Sequence, residues 1–140
     1  MTHAAQPRLA NALPVRNVPQ EALLRLDLEP FHVAAEPQLS ACPMGETGIC
    51  RNPFCSARFV PVRPHQLYCS AACRKSDDQE FRAVGLRAAP ALLAWQMGRY
   101  APKGTALADL SRAGRNYYSA LAAQWLRDRR RRMHLAEELR

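Results

Sequence analysis

The stretch that decides the fold is "CRNPFCSARFVPVRPHQLYCSAACRKS", residues 50–76, which places four of the chain's five cysteines in two pairs within 24 positions. The pattern is C-x4-C-x13-C-x3-C. Tetrahedral zinc takes four thiolates about 2.3 Å from the ion, and a chain supplies them most readily as two local pairs joined by a turn and a helix. A tight turn can aim Cys50 and Cys55 at one point. Cys69 and Cys73, four apart at a helix start, lie on one face one turn from each other. A helix N-terminus also stabilises thiolate charge.

The residues around the cysteines sort into a knuckle, two strands and a helix. ARFV and QLYC are strand candidates joined through VRPH, with Pro61 and Pro64 keeping the connection out of a central ladder. Ser70 is a suitable N-cap for CSAACRKSDDQEFRAVG, in which Cys73, Asp77, Phe81 and Val84 share a face and Gly85 stands where the helix can end. A knuckle, a hairpin and a helix carrying the last two ligands make the arrangement called a treble clef. The run F59-x-P61-x-R63-x2-Q66-x-Y68-C69-S70-x2-C73-R74 resembles the signature of small bacterial and prophage-type zinc-finger proteins. The resemblance covers about residues 50–75, with a looser likeness in AWQMGRYAPKGTALADL. It implies one structural zinc ion and contact with nucleic acid. Two departures stand out: four residues rather than two separate the first pair, and Ser56 replaces the glycine that often follows the second cysteine. Cys42 is the alternative to Cys50 as first ligand.

Beyond the cysteines, AAPALLAWQMGRY (88–100) reads as a second helix, with Leu92 and Trp95 in one apolar row and Leu93, Met97 and Tyr100 in another. After APKGT, Thr105 caps a third helix from Ala106 to about Glu138, with Leu107, Leu110, Tyr117, Leu121 and Trp125 recurring along it. The front of the chain differs. Nine of the eleven prolines precede residue 65, and only PQEALLRLDLEP offers a short helix, at 19–28. The expected architecture is therefore small α+β: a Pro-rich, largely irregular arm (1–48), a treble-clef zinc finger (49–85) and a helical tail (86–140).

Charge is equally uneven. Residues 1–49 are net −2 and residues 50–140 net +10, within a chain of net +8. A basic half suggests a polyanion, nucleic acid before an anionic membrane surface. The densest run is WLRDRRRRMHLAEELR, where Arg127, Arg130 and Arg131 share one helical face and Arg129 and Arg132 a neighbouring one. Arginine's planar fork suits phosphate, although such a run also serves as the solvated end of a helix. Arg63, Arg74 and Lys75 add charge beside the cysteines. These eight residues are the candidate nucleic-acid contacts, with DNA ahead of RNA and backbone phosphates ahead of base edges.

Several classes are set aside. Four cysteines close a zinc shell, leaving no position for a catalytic water. The deaminase pattern is missing, and the helix after Cys69 has no His or Asn for a nuclease metal, which leaves His65 a turn residue. No phosphate loop or serine elbow is present, so neither an enzyme nor a small-molecule substrate is expected. No leader or membrane span is evident, which suggests the reducing cytoplasm and argues against disulfides. The rival to nucleic-acid binding is a zinc-stabilised adaptor that docks a protein through its arm or its last helix.

Overall fold

The computed structural model describes residues 19–140, which belong to two units, Met1–Pro43 and Met44–Arg140. In the first unit the helix expected at 19–28 is reduced to one 3-10 turn, Gln20–Ala22. Two short helices follow, α1 (Phe31–Ala34) and α2 (Glu36–Ala41), with no buried residue in either. Residues 1–18 of the expected arm lie outside the described residues.

The second unit is built on α3 (Ala71–Met97) and α4 (Ala106–Glu138). They form an antiparallel hairpin in which Asp77 meets Arg129, Phe81 meets Trp125, and Trp95 meets Ser111. The caps read from the sequence form as expected: the Ser70 hydroxyl accepts from Cys73 N–H at 3.2 Å, and Thr105 Oγ1 accepts from Ala108 N–H at 3.3 Å.

Two expectations about architecture fail. First, the helices at 70–85 and 88–100 are one continuous helix. Gly85 carries no close neighbour, and Pro90 sits inside the helix on an exposed face. An interior proline costs about 3 kcal/mol and one hydrogen bond. Packing against α4 overrides that cost here: Ala91 is buried, and a Cβ built on Gly114 would lie 2.4 Å from Ala91 O and 3.0 Å from Trp95 N. Glycine at 114 thus lets the two backbones meet just past the proline. Ser111 Oγ fastens the same place by donating to Trp95 O at 2.6 Å.

Second, the β-hairpin of a treble clef does not form. Among the described residues the sole strand-like pairing is one antiparallel bridge, Ile49 with Arg58. The reason lies in the expected second strand, whose partners are elsewhere. Leu67 O accepts from Arg51 N–H at 2.8 Å, so this segment pairs with the knuckle. The Gln66 side chain takes the place of a ladder neighbour, accepting from Val62 N–H at 2.8 Å and donating to Tyr68 O at 2.7 Å. Pro61 and Pro64 have no N–H to offer, and His65 turns the chain with φ +65°. The second unit is therefore an irregular cysteine-bearing lobe rooted on a helical hairpin.

Its apolar interior is thin. Among the described residues the buried apolar side chains are Cys50, Pro53 and Ala91, and one of the most deeply buried side chains is a carboxylate, Asp77.

Candidate metal centre

The knuckle that carries the first two cysteines is held by backbone bonds. Cys50 N–H donates to Ala57 O at 2.9 Å, and Phe59 N–H to Gly48 O at 2.8 Å, closing the loop that contains Cys55. Inside it, Asn52 O accepts from Cys55 N–H and Ser56 N–H, while its side-chain Oδ1 accepts from Phe54 N–H at 3.3 Å. Ser56 adopts φ +47°, the left-handed region that favours glycine. The substitution noted in the sequence thus falls where backbone geometry would prefer the missing residue. Two contacts hold the serine there: its Oγ donates to Pro53 O at 3.1 Å, and Arg140 Nη1 donates to Ser56 O at 2.6 Å.

The second pair comes from the start of α3. Cys69 precedes the Ser70 cap and Cys73 stands in the first turn. Together the knuckle and the helix start bring the thiols of Cys50, Cys55, Cys69 and Cys73 within 4.8 Å of one another. The Cys55–Cys69 and Cys69–Cys73 sulfurs are each 3.7 Å apart. Four sulfurs placed tetrahedrally at about 2.3 Å from one ion stand about 3.8 Å from each other. The separations are therefore those of ligands around a single ion, and far beyond the S–S length of a disulfide. Four thiols this close can hold a metal ion. Cys42 belongs to the first unit and is exposed.

The cluster is electrostatically uneven. Burial pushes the Cys50 thiol up to about 12, and it raises Cys69 as well. Hydrogen bonding from the Asn52 side chain, then from Ser70, brings Cys73 down to about 7. Cys69 N–H points at Cys50 Sγ from 3.5 Å, a donor aimed at the sulfur that would carry negative charge on metal binding.

The eight basic candidates separate into two groups. Arg63, Arg74, Lys75, Arg127, Arg130 and Arg131 are exposed. Two of them have partners: Arg131 pairs with Asp128 at 2.7 Å, and Arg74 lies 4.0 Å from Asp78. Arg129 and Arg132, also expected among the phosphate contacts, turn inward, with only 14% and 11% of their side chains exposed. Arg129 Nη1 binds Asp77 Oδ1 at 2.6 Å and also Glu80 Oε2, while Nη2 binds Asp77 Oδ2 at 3.2 Å and Arg51 O at 3.0 Å. Arg132 Nη2 meets Glu80 Oε1 at 2.5 Å, and its Nε lies 2.8 Å from Asp128 Oδ2 but out of line for a hydrogen bond. The Arg129 guanidinium also lies against Phe81 and Trp125, 5.4 and 5.8 Å from the ring centroids.

This ion network is the structural feature that sequence reading missed. Tyr68 completes it by donating to Asp77 Oδ2 at 2.7 Å; burial and that bond raise the phenol above its usual range. Although burial works against its charge, Arg129 is held firmly protonated by Asp77 and Glu80. The signal was present as matched spacing: acids three apart on α3 (Asp77, Glu80) oppose arginines three apart on α4 (Arg129, Arg132).

Comparison of the chain with protein-family models, with curated proteins and with solved structures finds no match. Among the described residues no helix is long and apolar enough to cross a membrane.

Proposed function

We propose that the four thiols hold one structural zinc ion and that the chain is a zinc-organised nucleic-acid-binding protein, taking DNA ahead of RNA and gripping mainly backbone phosphates. The observation that carries the zinc assignment is the 3.7 Å spacing of sulfurs drawn from a knuckle and a helix start. A mononuclear iron fits the same four thiols, and elemental analysis of the purified chain distinguishes them. With all four positions taken by thiolate the ion has no site for water or substrate, which favours a structural role over an enzymatic one.

The nucleic-acid reading rests on charge. Arg127, Arg130 and Arg131 remain exposed on α4 after Arg129 and Arg132 are withdrawn into the fold, and Arg63, Arg74 and Lys75 are exposed around the cysteines. The resemblance of residues 50–75 to prophage-type zinc-finger proteins points the same way. A second reading, the protein adaptor, draws support from a different observation. Leu86, Leu93, Met97 and Tyr100 are 79%, 67%, 66% and 84% exposed along and just past α3, forming an exposed apolar row.

Salt separates the two. Anisotropy of a short labelled duplex with the zinc-loaded full chain should give a log–log slope of about −4 or steeper if four or more phosphates are neutralised. Absence of binding at low salt to both that duplex and a single strand of the same length refutes the nucleic-acid reading and favours the adaptor. Replacing Cys69 or Cys73 with serine should abolish bound zinc, whereas Cys42→Ser should leave one ion per chain; zinc lost from Cys42→Ser would show the ligand set to be wrong.

A further inference from the structure

At the turn of the hairpin, between the end of α3 and the start of α4, lies an open groove of about 670 Å³. Its walls carry four cations, Arg99, Lys103, Arg112 and Arg115, beside two aromatic rings, Trp95 and Tyr118. The groove exists because the turn is tight. A Cβ built on Gly98 would lie 2.3 Å from Leu107 O, so glycine is what lets the end of α3 close onto α4. Thr105 Oγ1 donates to Pro102 O at 2.7 Å, and Gly104 takes φ +83° to finish the reversal.

The charge here has little structural use. Arg112 stands 3.7 Å from Asp109, and Arg99 covers the rings of Trp95 and Tyr100 at 5.5 and 5.4 Å. Lys103 and Arg115 pair with no carboxylate among the described residues. Lys103 lies in the turn just before α4, and Arg112 and Arg115 follow on its second and third turns. Like charges gathered in one groove make a site of positive potential, and the volume suits one nucleotide unit.

We propose that this groove binds phosphate and seats a single strand of nucleic acid, with a base against the aromatic side and phosphates on Lys103, Arg112 and Arg115. Base stacking beside a basic channel is the usual means of holding single strands. The proposal rests on the nucleic-acid reading above and relocates its grip. The groove lies about 27 Å along α4 from the Arg127–Arg131 face, taking the helical rise from Arg112 to Arg130. The basic run that dominates the sequence is then a second contact.

The test uses the zinc-loaded full chain and two charge-matched variants, Lys103→Gln/Arg115→Gln and Arg127→Gln/Arg130→Gln, with a labelled twelve-nucleotide thymidine strand. Loss of the groove pair should weaken binding about tenfold at fixed salt and flatten the log–log slope by about 1.4, the value for two phosphate contacts on a single strand. The tail pair should cost less than threefold. Equal losses from both pairs, or none from the groove pair, overturn the groove while leaving the nucleic-acid reading intact. In parallel, the Trp95 indole resonance is followed as the unlabelled strand, or inorganic tripolyphosphate, is added. A shift with both, tighter for the strand, supports the proposal. A shift with tripolyphosphate alone makes the ligand a free phosphate compound and overturns both the strand and the nucleic-acid reading. No shift with either refutes the groove.

Discussion

Replacement of Arg129 by methionine should be the most damaging single change in the arginine run. The guanidinium makes four hydrogen bonds, two to Asp77, one to Glu80 and one to Arg51 O. Asp77 has no exposed side-chain surface. Without Arg129 its carboxylate keeps only the Tyr68 hydroxyl among the bonds described, while Glu80 retains Arg132 and the Trp125 indole N–H at 3.2 Å. Breaking a buried pair by removing one partner costs about 3–5 kcal/mol, because an uncompensated charge is left behind. That is a third or more of the total for many domains. At roughly 4–8 °C per kcal/mol for a unit of this size, the midpoint should fall by about 12 °C or more. Urea and thermal unfolding at buffered zinc, followed by helical circular dichroism, measures it. Arg130→Met, at an exposed neighbour, should change stability by less than about 0.5 kcal/mol. The double variant Asp77→Asn/Arg129→Met should recover at least half of the loss, since it removes the stranded charge. A loss below about 1 kcal/mol from Arg129→Met, or a double variant no better than the sum of the singles, would refute the buried network as a determinant of the fold.

Glycine replacements should divide by position. Gly114→Ala should destabilise by about 1–3 kcal/mol despite alanine's better helix propensity, because its Cβ would meet Ala91 O at 2.4 Å; Gly85→Ala, with nothing within 4 Å, should instead gain up to about 1 kcal/mol, and chemical denaturation of the pair decides both. Metal and pH should act in opposite senses. In the metal-free chain the Cys50 thiol rises from 9.0 to about 12 on folding, so its contribution is whole below pH 9 and disappears between pH 9 and 12. The zinc-loaded chain should lose stability in the other direction, as pH falls below 7 and protons compete for thiolates that include Cys73 at about 7. Unfolding curves across pH with and without a chelator test this, and an identical pH dependence in both states would contradict it.

What could be read from the sequence were the features set by adjacent residues. The cysteine spacing, the Ser70 and Thr105 caps and both ends of α4 depend on side chains a few positions apart, and the structure places them where that local chemistry puts them. The failures have long-range causes. Pro90 and Gly85 are local breakers, but α4 supplies close packing through Gly114 that no local window contains. The expected hairpin fails because Leu67 O is taken by Arg51 N–H across the knuckle and Val62 N–H by the Gln66 side chain. Arg129 and Arg132 looked like surface charge because their carboxylates lie about 50 positions earlier in the chain.

The same contacts tie the cysteine cluster to the helices. Arg129 reaches Arg51 O, one residue beyond Cys50, while Tyr68, one residue before Cys69, reaches Asp77 on α3. Each cysteine pair is thus flanked by a residue bonded into the ion network. With so few buried apolar side chains, the second unit depends on this polar linkage more than on a hydrophobic interior. A structural zinc supplies on the order of 10 kcal/mol or more of binding free energy, which the linkage would transmit to the root of the hairpin. Chelation should then loosen the pairing of α3 with α4 nearest the cysteines first. The turn at residues 98–105, held by Gly98, Ser111 and Thr105 independently of the cysteines, should resist longer. Hydrogen exchange after chelation would order the two ends: faster exchange at Asp77–Phe81 than at Ala91–Trp95 supports the linkage, and uniform exchange along α3 contradicts it.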